Sequence, residues 1–130
     1  MILLDTHIVV WLMVSPEQLS DRARVAILQA SIAGEKIAYS PVSLYEIANA
    51  ARRNRLHLYT TIEEFIAAIG AKLELIPLTA AIAVCAAKIP VPFHGDPMDR
   101  IITATSIVEG CTLITKDEKI RAANVCKVLW

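Results

Sequence analysis

No apolar run in this chain approaches the length needed to cross a bilayer, so a membrane-spanning protein is not expected. Cysteine is scarce and unpatterned: Cys85, Cys111 and Cys126 show no CxxC spacing and lie in apolar contexts, which argues against a disulfide framework and against a zinc site. A reducing cytoplasm is the expected compartment. Charge of one sign is also missing, with 13 Lys plus Arg against 13 Asp plus Glu, so bulk attraction for nucleic acid is excluded and any affinity for phosphates must be local. Repeats and low-complexity segments are absent, and Pro90, Pro92 and Gly95 make the one Pro/Gly-rich stretch, too short for a linker and read as an active-site loop. The opening 14 residues are apolar, yet no basic residues precede them and Asp5 and His7 interrupt them, so a strand followed by a helix is expected rather than a signal peptide.

What the chain has is apolar material. Hydrophobic residues make up 55% and charged ones only 20% of 130 residues, enough for one core and one domain over 1–130, with apolar surface left for a partner chain to cover. A homodimer is therefore expected before a monomer. Short apolar runs at Ile2 to Leu4, Lys36 to Tyr39, Leu73 to Ile76, Cys111 to Thr115 and Val125 to Leu129 read as strands. Between them, helical spacing marks Ser20 to Ala33, a helix capped at Ser40-Pro41 that ends in Arg52-Arg53-Asn54-Arg55, Thr61 to Ala71, Thr79 to Lys88, and a helix opened by Asp96-Pro97 and stopped by Gly110. Such alternation predicts an α/β chain: a three-layer α/β/α sandwich around a central, mainly parallel five-stranded sheet.

Acids stand where ligands bind in such a sheet, beyond the carboxyl ends of the strands. Asp5 follows the first run, Glu46 lies past the second, Asp99 lies in Asp96-Pro-Met-Asp99-Arg100, and Asp117 follows Thr112-Leu-Ile-Thr-Lys116. Each has an ordinary explanation: Asp5, Asp96 and Asp117 as helix caps, Asp99 as a first-turn acid, and Glu46 at capping-box distance from Ser43. Caps alone do not predict that all should converge on one edge. Converging carboxylates raise one another's pKa unless a cation neutralises them, so the pattern points to a divalent metal.

The blocks Leu3-Leu4-Asp5-Thr6-His7 with Trp11-Leu12, Ser43-Leu-Tyr-Glu46-Ile, Asp96-Pro-Met-Asp99-Arg100-Ile-Ile-Thr-Ala104 and Leu113-Ile-Thr115-Lys-Asp117 resemble the four signature blocks of PIN-domain ribonucleases, nearest to the VapC-like toxins of bacterial type II toxin-antitoxin systems. Met98 stands where that subgroup usually has an aromatic residue, and Thr103 to Ser106 follows its usual Ala-Gln-Ala ending only loosely. The resemblance implies that Asp5, Glu46, Asp99 and Asp117 are catalytic metal-binding acids with Asp96 as a further ligand or a support, and that Thr6 and Thr115 hold water at the metal. It also implies a cognate antitoxin as partner.

The expected activity is Mg²⁺-dependent hydrolysis of RNA phosphodiester bonds by metal-activated water, with Mn²⁺ able to substitute and a 5′-phosphate left on the product. Arg100, Arg52 and Arg53 are the expected guides for the RNA backbone, with Arg55, His57, Lys116 and Lys119 nearby; a solvated helix end or a local salt bridge is the competing explanation. His7 and His94 are left out of the chemistry. Trp11, Leu12 and Val14 are candidates for an interface, with core packing as the alternative. Two further functions remain open: an acid-rich phosphatase or phosphotransferase, disfavoured because Asp5-Thr-His7 lacks a second acid beside the first strand, and a non-catalytic module whose acids bind a basic partner.

Overall fold

Each short apolar run becomes a strand and each stretch of helical spacing a helix. The computed structural model describes residues 1–90, 93 and 95–130. In order they form β1 (Ile2–Leu4), α1 (Thr6–Val14), a 3₁₀ turn (Pro16–Gln18), α2 (Asp21–Ile32), β2 (Ile37–Tyr39), α3 (Pro41–Arg52), α4 (Ile62–Lys72), β3 (Glu74–Leu75), α5 (Ala80–Lys88), α6 (Pro97–Glu109), β4 (Thr112–Ile114), α7 (Glu118–Ala123) and β5 (Val128–Leu129). Pro92 of the expected active-site loop, and His94, lie outside the described residues.

The sheet order is β3-β2-β1-β4-β5, and every pairing among the described residues is parallel, not merely most of them. From β1 the chain steps outward through β2 to β3, then returns past β1 to build β4 and β5 on the other side. The order therefore reverses between β1 and β4, the place where a doubly wound sheet opens a crevice.

Successive strand residues point to opposite faces, so each three-residue strand serves both helical layers. Leu3, Ala38 and Leu113 pack with Ile82 of α5, Ile102 of α6 and Ile120 of α7. Leu4, Tyr39 and Ile114 pack with Ile8 of α1, Ile27 of α2, Ile47 of α3 and Ile69 of α4. Coverage on both faces is why these strands read as unbroken apolar runs. Each fully buried Leu or Ile contributes roughly 1.5–3 kcal/mol of transfer free energy.

Helix ends are written locally. Thr61 and Glu64 form a reciprocal capping box at α4, Ser20 caps α2 by accepting from the Ala23 N–H at 3.1 Å, and Gly110 ends α6 at φ +62°. Ser40 does occupy the N-cap position of α3, but its hydroxyl makes no capping bond, so Pro41 at the first helical position sets that start. The last strand is shorter than Val125 to Leu129, because Asn124 turns the chain through φ 51° and several residues are spent reaching the edge of β4. Among the described residues no helix is long and apolar enough to cross a membrane. Cys111 is buried and Cys85 and Cys126 half-buried, all as free thiols.

Candidate metal centre

The register of β1 against β4 brings Asp5 and Thr115 side by side, each one residue past its strand, and the Asp5 N–H donates to the Ile114 carbonyl at 3.0 Å. Asp5 is 5% exposed, and both carboxylate oxygens are held: Oδ1 accepts from the Thr6 N–H at 2.7 Å and Oδ2 from the Thr115 hydroxyl at 2.6 Å. Thr115 Oγ1 in turn accepts the Asp117 N–H at 3.0 Å, which links the end of β4 to the start of α7. The Thr6 hydroxyl donates to Glu46 Oε1 at 2.6 Å and shares a 2.9 Å hydrogen bond with the Ser43 hydroxyl, tying α1 to α3. Thr6 and Thr115 thus position carboxylates, a role that the expectation of water-holding threonines did not include.

Asp5, Asp96 and Asp117 all stand at helix N-caps, so the ordinary explanation holds for them too. Asp96 Oδ1 accepts from the Met98 and Asp99 N–H groups at 2.9 and 3.0 Å, and Asp117 Oδ1 from Ile120 at 2.8 Å. Capping occupies an oxygen of each and aims the group; it does not remove the acid from the cluster. The four-residue run Asp96-Pro-Met-Asp99 starts α6 at the same edge, and Asp96, Asp99 and Asp117 line one depression with Lys119, while Asp5 and Asp117 line the adjoining one with Lys116.

Electrostatics show how closely the acids are coupled. Burial, and then the charges of Asp96, Asp5, Asp117 and Glu46, push Asp99 up to about 7. Burial also raises Glu46, with Asp5 and Asp96 adding to it while Thr6 and His7 oppose it. Asp5 is raised by burial against the opposing hydrogen bonds from Thr115 and Thr6. Asp99 therefore feels the charge of the other four acids. Among the described residues, however, no group of three His, Cys, Asp or Glu side chains is packed closely enough to hold a metal ion by itself. An all-oxygen donor set that repels itself, without a tight cage, fits a hard dication that keeps several waters, and does not fit a closed thiolate or imidazole site.

The cations expected to guide RNA fall in different places. Arg100 donates from Nε to the Ala86 carbonyl at 2.9 Å and from Nη2 to the Ile89 carbonyl at 2.7 Å, and its guanidinium lies 5.7 Å from the Phe93 ring centre. It ties α6 to the C-terminus of α5 through backbone carbonyls, a role that neither the expectation of an RNA guide nor the alternative of a local salt bridge included. Arg52 donates to Asn49 Oδ1 at 3.1 Å on the exposed end of α3. Arg53 and Arg55 line a groove that also contains Glu46 and Thr6. Lys116 lies 5.5 Å from the Trp11 ring centre, and Trp11 in turn lies 5.9 Å from Trp130 and 6.0 Å from His7. Leu12 packs half-buried against the core, and Val14 is 45% exposed. The Thr6–Ser43 and Trp11–Trp130 contacts carry no sequence signal, because each depends on how helices and chain ends meet in space.

A sequence model of the PIN domain matches residues 2–125. Ribonuclease VapC22 of Mycobacterium tuberculosis is 32% identical over 121 residues, which cover 93% of this chain and 90% of that protein. Among solved structures, VapBC2 of Rickettsia felis, crystallised with a promoter DNA fragment, superposes with a TM-score of 0.75 at 18% identity over 99% of this chain and 98% of that one. A toxin-antitoxin complex from Klebsiella pneumoniae gives 0.69 at 21% identity over 100% and 97%. At such identities these structures speak for the fold. The fold, the arrangement of acids and the match along nearly its whole length lead to one conclusion: this chain belongs to the PIN-domain family and is VapC-like within it.

Proposed function

We propose that the protein is a Mg²⁺-dependent endoribonuclease and the toxin of a toxin-antitoxin pair. The observation that carries this reading is the gathering of Asp5, Glu46, Asp96 and Asp117 around Asp99 beyond the ends of the paired strands β1 and β4. Asp5, Asp99 and Asp117 would hold the ion, with Glu46 and Asp96 beside them, and Mn²⁺ would substitute. When bound, a divalent ion neutralises charge on the phosphate and lowers the pKa of water.

The chain's own groups supply the rest. Thr115 fixes the Asp5 carboxylate through one oxygen and the Asp117 backbone through its own, so the end of β4 sets the spacing of two acids. Glu46, oriented by the Thr6 hydroxyl and raised by burial, is suited to accept the proton of the attacking water. Attack at phosphorus expels the 3′-oxygen and leaves a 5′-phosphate. A phosphodiester in an open trough, rather than a small ester in a closed cavity, fits acids spread over adjoining depressions.

An antitoxin partner is supported by the toxin-antitoxin complexes among the structural relatives. The exposed Val25, Leu28 and Ile32 of α2 supply apolar surface for a partner or a second copy, and the free cysteines support the reading of action in the cytoplasm. The test is cleavage of cellular RNA by the chain expressed alone, with sequencing of the ends. Asp5→Asn is expected to abolish 5′-phosphate ends that appear in Mg²⁺ and vanish in EDTA. Undiminished cutting by Asp5→Asn would reject the site.

A further inference from the structure

The acids do not account for the whole trough. Beyond Glu46 it continues as a groove of about 530 Å³, edged by Thr6 and Glu46 at one end and by Arg53 and Arg55 at the other. His7 and Trp11 line both this groove and the depression that holds Asp5 and Asp117, so the two adjoin at these side chains. Tyr45 lines the groove and is 61% exposed, an aromatic ring left open one residue before a predicted catalytic acid. Trp11 is a braced wall, held between Trp130 and Lys116.

The cationic end is built by a specific turn. Arg53 ends α3, Asn54 takes φ 55°, and the N–H groups of Arg55 and Leu56 return to the Ala50 carbonyl at 2.9 and 3.3 Å. Leu56 packs against the core and anchors the reversal, so Arg55 returns alongside the groove instead of continuing the helix outward. The turn is an ordinary left-handed helix ending, with the Asn54 N–H also returning to the Ala51 carbonyl at 3.1 Å, and its consequence here is that Arg53 and Arg55 both line the groove.

We propose that the groove is a subsite for one unpaired ribonucleotide next to the scissile bond, with Tyr45 as the stacking face for its base and Arg53 and Arg55 receiving the phosphate beyond it. The subsite rests on the nuclease reading and deepens it. An aromatic face followed by paired cations, one step from an acidic cluster, matches a polyanion whose bases can leave the stack, as in single-stranded RNA. A base held in a duplex cannot reach Tyr45.

Binding is measured with Ca²⁺ in place of Mg²⁺, using a short single-stranded oligouridylate, the same strand with an abasic site placed at each position in turn, and the strand annealed to its complement. Trp11 and Trp130 are the only tryptophans, so a Trp130→Phe variant reports from the groove wall alone. The single strand should change Trp11 emission. One abasic position and Tyr45→Ala should each weaken binding about tenfold, Tyr45→Phe should restore it, and the duplex should bind more weakly. Arg55→Gln should reduce the slope of log affinity against log salt by about 0.7. If Trp130→Phe loosens the fold, the exposed Tyr45 and Arg55 variants still decide the matter.

Equal binding by native and Tyr45→Ala protein, with an unchanged salt slope in Arg55→Gln, would overturn the subsite. So would Trp11 emission that responds to a protein partner but not to RNA. RNA cut normally by Tyr45→Ala with unchanged KM would remove the subsite and leave the nuclease reading standing; RNA neither bound in Ca²⁺ nor cut in Mg²⁺ would remove both.

Discussion

Asp99 is the residue where the cost of the site is concentrated. Its folded-state pKa of about 7 lies above the ordinary carboxylate value, so without metal the fold favours its neutral form. This contribution to stability is fully present below about pH 4 and is lost as pH rises through about 7. Asp99→Asn should therefore stabilise metal-free protein at pH 8, by about 1 kcal/mol once solvent screening of a half-exposed group is allowed for, while abolishing cleavage. Thermal melts in EDTA at pH 5 and pH 8 check it: a native-like melting temperature for the variant at pH 8 would reject the assigned burden. Thr115→Val acts in the opposite sense. It deprives buried Asp5 of its 2.6 Å donor, which should destabilise by about 1–3 kcal/mol and lower cleavage even where the protein remains folded. Denaturant titration with parallel RNA cleavage separates the two effects.

Helix starts and strand ends do most of the placing. Asp96-Pro97 caps α6 and sets Asp99 in its first turn, Asp117 caps α7, and Ser40-Pro41 begins α3 so that Glu46 falls on its second turn. These signals are local in sequence, which is why the acids could be assigned to one edge before the structure was known. The far end of α6 is equally local: Gly110 holds φ +62° with open space where a Cβ would stand, so Gly110→Ala pays only the backbone strain. It should lose about 1 kcal/mol by chemical denaturation with cleavage unchanged. A loss well beyond this would mean that the end of α6 also carries packing. Arginines were less legible, because a basic run at a helix end looks the same whether it faces solvent, a neighbouring carbonyl or a groove. Arg100 went to the carbonyls of Ala86 and Ile89, while the left-handed Asn54 brought Arg55 beside Glu46's groove.

Across the molecule, the site and the fold share one free energy. The strands that meet at the acids are the same that join the two core layers, so neutralising the carboxylates should stabilise the whole chain. Mg²⁺ at a hundredfold excess over its dissociation constant should add about 2.7 kcal/mol to unfolding, and Asp5→Asn should remove that increment. A melting temperature indifferent to Mg²⁺ in the native chain would sink the metal assignment. The sequence alone determined the alternation of strands and helices, the caps, and the acids that terminate apolar runs, because each is written in spacing over a few residues and enforced by backbone hydrogen bonding and burial. Tertiary structure decided the all-parallel order β3-β2-β1-β4-β5, the Thr115–Asp5 and Thr6–Glu46 pairs, and the places of Arg100 and Arg55. Those features join residues as far as 110 positions apart, and no local pattern encodes which distant side chain will fill the other half of a hydrogen bond.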